Sequence, residues 1–117
     1  MKETIKLEQW GWIRYFNDKD CHYALYAYND EPDVLYLSSV YVTREARGAG
    51  LGNQILRDAE EWAITMGMSC IILQVIEKSW MHDWYERYGY AEIGINEHPK
   101  YVWMKKAILG RPKHDPT

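Results

Sequence analysis

Arg47-Gly48-Ala49-Gly50-Leu51-Gly52 carries the clearest chemical signal in this 117-residue sequence. Glycines at alternate positions let a backbone turn tightly and leave its N–H groups uncovered by side chains. A helix opening there adds the positive end of its dipole and a set of orphan N–H donors. A strand, a glycine turn and a helix N-terminus in succession make a cradle for phosphate or pyrophosphate, and Arg47 places a positive charge beside it. A flexible surface turn would account for the same glycines, because short glycine patterns recur by chance. The flanking elements have to decide.

Val34 to Val42 leads into the turn. The run is β-branched and aromatic and reads as a central strand, with Ser38-Ser39 at its middle as the place for a bulge. From about Gly50 to Met66 the residues Leu51, Ile55, Ala59, Trp62, Ala63 and Met66 recur at three- and four-residue steps. Charged and polar residues take the other face, which predicts an amphipathic helix capped by Gly67. Cys70 to Ile76 reads as a buried strand, and strand–helix–strand predicts a parallel pairing. A short helix is expected from about Ser79, its N-cap, to Tyr88, with Gly89 ending it and Trp80, Trp84 and Tyr88 in one stripe. Upstream, Ile5 to Phe16 and His22 to Tyr28 read as two strands joined by the turn Asn17-Asp18-Lys19-Asp20, and nothing before Val34 reads as a helix. Downstream, Tyr90 to Ile95 and Tyr101 to Lys106 read as strands joined through Asn96-Glu97-His98-Pro99. The predicted order is β-β-β-α-β-α-β-β.

Length and composition predict one domain over residues 1–109, with a flexible tail over 110–117. Fourteen basic against seventeen acidic residues give a net charge of −3, so no nucleic-acid partner is expected. Six Trp and ten Tyr accompany a single Phe; such side chains suit half-buried positions with one polar atom wet. They could line a cleft or a partner surface, or simply fill a small core. Cys21 and Cys70 show no CxxC spacing and no histidine cluster, so no metal is expected, and Cys70 reads as a buried thiol. No signal peptide or membrane-length apolar run is visible, and the expected location is cytoplasmic, with no membrane partner. An exposed sheet edge or the Tyr and Trp surplus is where a homodimer would form, though the sequence does not derive one.

The segment from Val34 to about Ile108 resembles the GNAT (GCN5-related) N-acetyltransferase superfamily. The R-G-x-G-L-G turn at Arg47 to Gly52 is similar to the family's acyl-CoA pyrophosphate loop. Trp84-Tyr85-Glu86-Arg87-Tyr88-Gly89-Tyr90 is similar to its L/F-Y-E-K-x-G-F segment, and Met104-Lys105-Lys106 to its last strand. The resemblance implies an α/β (α+β) fold: a mixed, mostly antiparallel twisted sheet of about six strands with two main helices, acyl-CoA N-acetyltransferase-like. It implies acetyl-CoA as co-substrate and an amine-bearing acceptor, small molecule or protein, that attacks the thioester directly.

Carried over by residue, the resemblance implies that backbone N–H groups of Arg47, Gly48, Ala49, Gly50, Leu51 and Gly52, with Asn53 beside them, hold the pyrophosphate. Val40 and Val42 would pair with the pantetheine arm, in a gap where this strand splays from Cys70 to Ile76. An N–H near Val40 would polarise the thioester carbonyl, and Tyr85 would protonate the departing thiolate. The chain departs from the family pattern at Lys78, where an Asn is usual, at Met81, where an Ala is usual, and in its compressed N-terminal region. Larger relatives roof the acceptor side with helices there, so a more open site, suited to a polypeptide amine, is expected. Glu77, Asp33, His82 and Asp83 are candidates for the general base, with His82 expected to be exposed on its helix, and deprotonation through water without a dedicated base is also open. The alternatives are a non-catalytic acyl-CoA-binding or protein-interaction module on the same fold, and a nucleotide-binding domain. The latter lacks G-x-x-x-x-G-K-[ST] and has G-x-G-x-G in place of G-x-G-x-x-G.

Overall fold

The computed structural model describes residues 2–95 and 100–108. The expected connection through Asn96 to Pro99 and the tail from Gly110 lie outside the described residues. The elements run β1 (Lys2–Glu8), β2 (Gly11–Asn17), β3 (Cys21–Tyr28), β4 (Val34–Val42), a short 3-10 turn (Arg44–Ala46), α1 (Leu51–Thr65), β5 (Cys70–Ile76), α2 (Trp80–Arg87), β6 (Ala91–Ile95) and β7 (Tyr101–Ala107). The seven strands form one sheet in the order β1-β2-β3-β4-β5-β7-β6. Only β4 and β5 run parallel; the other neighbours are antiparallel.

The mixed, mostly antiparallel sheet with two main helices is as expected, and it has one strand more than the element order read from the sequence. The stretch read as one strand from Ile5 to Phe16 is a hairpin, β1 and β2, closed by Glu8 opposite Gly11. Gln9-Trp10 makes the turn, and the Trp10 ring lies 5.3 Å from that of Tyr28 and 6.3 Å from that of Tyr26. That packing lies at the turn, where the apolar residues shift phase from Ile5 and Leu7 to Trp10 and Trp12.

Cross-strand partners in a sheet share a face, so the register sorts the side chains. One row runs Arg14, Leu25, Leu37, Leu73, Met104 across β2, β3, β4, β5 and β7. This face meets Ile55, Leu56, Ala59 and Ala63 of α1 and Tyr85 of α2 in a single apolar core. The next row, Ile13, Tyr26, Tyr36, Ile72, Lys105, lies on the opposite face, and no helix packs there among the described residues. The rings of Tyr26 and Tyr36 stack at 5.0 Å on it. The tyrosine surplus is thereby divided between a core and an uncovered sheet face.

The expected bulge is present. Between the pairs His22–Tyr41 and Ala24–Ser38, β4 spends one residue more than β3, and Ser39 takes φ +57. An extra residue of this kind bends a strand and increases its twist.

Candidate functional site

The pairing of β4 with β5 stops at Leu37 opposite Leu73. Beyond it β5 continues to Ile76 alongside β7, and β4 continues to Val42 alongside β3. The two half-strands therefore diverge, leaving the β4 edge from Ser38 to Val42 without a sheet partner on the β5 side. Because the bulge consumes one residue, Val40 and Val42 join the helix-side core behind Leu35 and Leu37, while Tyr41 turns to the open face and stacks on His22 at 5.2 Å.

After Val42 the 3-10 turn brings the chain to Arg47, whose Nε donates to Val42 O at 3.2 Å. Its guanidinium lies 5.9 Å from the centre of the Trp80 ring. Gly48 and Gly50 follow with φ +89 and +83, both in open space, so the left-handed backbone, not crowding, requires glycine there. Gly50 is the N-cap of α1 and offers no side chain to its first turn. The N–H groups of Arg47 and Ala49 are used within the loop, donating to Arg44 O and Ala46 O. Those of Gly48, Gly50, Leu51, Gly52 and Asn53 donate to no group among the described residues. Unpaired donors at a helix N-terminus attract anions.

A cleft of about 370 Å³ opens at this point, walled by Val40, Tyr41 and Val42 of β4, by Ala46 to Gly48 and Gly50 to Asn53, and by Trp80, Met81 and Trp84 of α2. Arg47 is the charged member of that lining among the described residues, and the remaining wall is largely apolar. The structure thus gathers Val40, Val42, Arg47, Gly48, Gly50, Leu51, Gly52 and Asn53 around one space; Ala49 stands outside the lining. The α2 wall was legible in the sequence only in part. The spacing of Trp80 and Trp84 put them on one face of a helix, but nothing local showed that this face meets α1. The contact is close: Trp84 Nε1 donates to Asn53 Oδ1 at 3.2 Å.

Tyr85 lies beside this wall and inside the core, 3% exposed and packed against Trp84 and Tyr90. Burial raises its pKa well above the ordinary tyrosine value of 10, because the phenolate would be desolvated. Of the four base candidates none lines the cleft. Asp33 precedes β4 at its opposite end, where its carbonyl accepts from Ser69. Asp83 is exposed, and Glu77 closes the end of β5, its N–H donating to Lys100 O.

His82 corrects the expectation of exposure: it is 6% exposed. Its Nδ1 accepts from Lys78 N–H at 3.0 Å, so a neutral ring carries its proton on Nε2. That atom stands 2.8 Å from Glu92 Oε1 and 3.4 Å from Glu86 Oε1, although the N–H is not aimed at either carboxylate. Lys78 itself sits at φ +60, and Ser79 Oγ caps α2 by accepting from His82 N–H. His82 therefore secures the left-handed corner from which α2 starts. No helix among the described residues is long and apolar enough to cross a membrane.

The family model described as Acetyltransferase (GNAT) family matches residues 8–90. No curated protein matches the sequence closely enough to count as a relative. Among solved structures, an IAA acetyltransferase from Bacillus cereus superposes with a TM-score of 0.66 at 18% identity, over 85% of this chain and 79% of that one. A GNAT family acetyltransferase from Elizabethkingia anophelis with acetyl-CoA bound gives 0.65 at 14%, over 84% and 76%. The ribosomal-protein-S18-alanine N-acetyltransferase of Escherichia coli gives 0.67 at 14%, over 91% and 74%. At these identities the likeness is one of fold.

Proposed function

The chain belongs to the GNAT acetyltransferase family, and from that premise we propose that it moves an acetyl group from acetyl-CoA to a primary amine by direct attack of the amine on the thioester. The observation that carries this reading is the set of unpaired N–H donors from Gly48 to Asn53, beside Arg47 and at the end of the splayed half of β4. Those donors and the Arg47 charge suit a pyrophosphate. The apolar wall of Val40, Val42, Met81 and Trp84 suits the pantetheine arm of the same molecule, and the unpaired β4 edge offers that arm backbone partners.

Bound acetyl-CoA supplies an activated thioester carbonyl. A β4 N–H near Val40 is the preorganised donor to that oxygen. Tyr85 remains a neutral phenol at working pH, because burial opposes its ionisation, and it serves as the proton donor on the thiolate side. The acceptor amine arrives as an ammonium and must lose a proton first. Since no carboxylate or imidazole among the described residues lines the cleft, that proton leaves through water in this reading. Among the described residues no helix covers the opposite sheet face beside the splay, which favours a polypeptide amine as acceptor. The E. coli relative, named for a ribosomal-protein alanine, shares the fold with an acceptor of that kind.

A second reading, an acyl-CoA-binding module without turnover, is favoured by one observation: Tyr85 and every base candidate lie outside the cleft lining. Calorimetry with acetyl-CoA against ATP and NAD tests the ligand. Mass spectrometry of a cell extract incubated with the protein and labelled acetyl-CoA tests the transfer and reports the acceptor class. Tight acetyl-CoA binding with no label transferred would leave the module reading standing. No preference for acetyl-CoA would overturn both.

A further inference from the structure

Among the described residues β1 is an edge strand without cover. Lys2 to Leu7 are all exposed, Ile5 to 52% and Leu7 to 81%, and the strand pairs with β2 alone, in unbroken register from Lys2 to Glu8. Edges of this length are commonly kept from pairing by proline, a bulge or charge. β1 has no proline and no bulge, and its charges are of both signs: Lys2, Glu3, Lys6 and Glu8.

The hydrogen bonds next door fix which of its peptide groups face outward. Asp18 N–H donates to Cys21 O, and Asn29 N–H donates to Trp10 O. The even-numbered residues of β2 therefore bond toward β3. Direction alternates residue by residue in an antiparallel ladder, so Gly11, Ile13, Tyr15 and Asn17 bond toward β1, to Glu8, Lys6, Thr4 and Lys2. The N–H and C=O groups of Glu3, Ile5 and Leu7 are left pointing away from the sheet.

We propose that this edge pairs antiparallel with β1 of a second copy of the chain, about a two-fold axis at Ile5. Hydrogen-bonded pairs across the axis must join outward-pointing residues, which restricts the register. Setting Glu3 opposite Ile5 of the second copy brings Lys2 against its Lys6. Setting Ile5 opposite Leu7 brings Lys6 against Lys6. Setting Ile5 opposite Ile5 brings Lys2 against Glu8 at both ends, Glu3 against Leu7 and Thr4 against Lys6, and it alone uses the whole strand. Opposite charges facing each other across a sheet attract and like charges repel, so the charge pattern selects this self-complementary register, as a two-fold interface requires. The Ile5 side chains meet across the axis, and the exposed Leu7 reaches the second copy's Ile5 diagonally. The result is one continuous sheet through both copies, with the cleft at β4 and α1 free in each.

Sedimentation of the purified chain over a concentration series tests the proposal. Edge pairing lies at the small end of specific interfaces, so a dimer of twice 13.9 kDa is expected with a dissociation constant of roughly 10 µM. Glu8→Lys should weaken dimerisation about tenfold or more by turning both attractive pairs repulsive. Combined with Lys2→Glu it should recover, because the charges are then exchanged and complementary again. Ile5→Cys should yield a disulfide-linked dimer under mild oxidation and Thr4→Cys should not; the native Cys21 and Cys70 are buried and do not compete. A monomer at every concentration overturns the proposal, and so does a dimer indifferent to charge reversal, which would place the interface elsewhere, such as on the tyrosine-bearing sheet face.

Discussion

The indole of Trp84 occupies the space that a side chain at position 52 would fill. A Cβ on Gly52 would stand 2.9 Å from Cζ2 and 3.2 Å from Cη2 of that ring. The ring is held there by its bond to Asn53 and by tilted contacts with Trp80 and Tyr85. The first turn of α1, whose N–H groups are unpaired, and the aromatic wall of α2 are therefore one packed unit. The donors that would meet an anion are positioned by a residue 31 positions downstream of Asn53.

Gly52→Ala is accordingly expected to displace the indole or the helix start. Overpacking of this kind costs about 1–3 kcal/mol, and an exposed side of the cleft places this case near the lower end. Acetyl-CoA affinity should fall about tenfold, equivalent to about 1.4 kcal/mol of lost binding. Adding Trp84→Phe, a smaller ring, should return part of both losses. Calorimetry and thermal melting of the two variants check this; an unchanged affinity in Gly52→Ala would separate the α2 wall from the donor turn.

Tyr85→Phe removes a hydroxyl that makes no hydrogen bond among the described residues and keeps the ring that fills the core. Stability should stay within about 0.5 kcal/mol of the parent. If the hydroxyl is the donor to the leaving sulfur, kcat should fall about 10²-fold, the lower range for a positioned proton donor, with KM for acetyl-CoA little changed. A melting curve beside steady-state kinetics reads both. An unchanged kcat would leave Tyr85 as core packing alone.

Alkaline pH should unfold the chain through its buried phenols. Burial raises the pKa values of Tyr85 and Tyr90 above the ordinary value of 10, with Glu60 adding to the effect at Tyr90. The unfolded chain ionises near 10 and the folded chain only at higher pH. The stability held by these groups is thus complete below about pH 10 and is lost as pH rises toward the raised values. Each such tyrosine contributes a slope of at most about 1.4 kcal/mol per pH unit. Denaturation midpoints should be flat from pH 7 to 9 and fall steeply from 10 to 11, and Tyr85→Phe should make the fall shallower.

Periodicity exposed the elements that bury one clear face. The three- and four-residue steps of Leu51 to Met66 became α1, and its Ile55, Ala59 and Ala63 are all buried. The two-residue alternation of β4 slips phase between Leu35/Leu37 and Val40/Val42, with the serines at the slip, and there the bulge lies. The β1–β2 hairpin was not legible because its loop, Gln9-Trp10, holds no usual turn residue, and the slip of apolar phase from Ile5 and Leu7 to Trp10 and Trp12 is a weak sign by itself. Glycine is required where β2 begins for a separate reason, since a Cβ on Gly11 would collide with Ala27 O of β3. His82 escaped for a related reason: an eight-residue helix has too few turns to define its faces, and the partners Lys78 and Glu92 come from a corner and a separate strand. The tight turn and free N–H groups of the glycine loop followed from local rules, whereas its aromatic wall depends on two helices meeting.

Ser39 separates stability from ligand binding. It holds φ +57 with a side chain, a conformation costing a non-glycine residue about 1–2 kcal/mol. Ser39→Gly removes that strain while adding freedom to the unfolded chain worth about 0.5–1 kcal/mol, so a net gain of about 0.5 kcal/mol is expected with binding unchanged. Deleting Ser39 does something different. Ser38 would then join Val40 directly, and the alternation Leu35, Leu37, Val40, Val42 would continue on the helix face without a bulge. The core would keep its residues, and the straightened strand could extend its pairing with β5 past Leu37 and Leu73, where it now stops. Closing that splay removes the free β4 edge beside the cleft. The deletion variant should therefore melt within a few degrees of the parent, a change of about 1 kcal/mol at most for a domain of this size, yet lose acetyl-CoA binding by about a hundredfold, equivalent to about 2.7 kcal/mol. Calorimetry on a variant shown by melting to be folded decides it: retained affinity would mean that the bulge shapes β4 without opening the cleft.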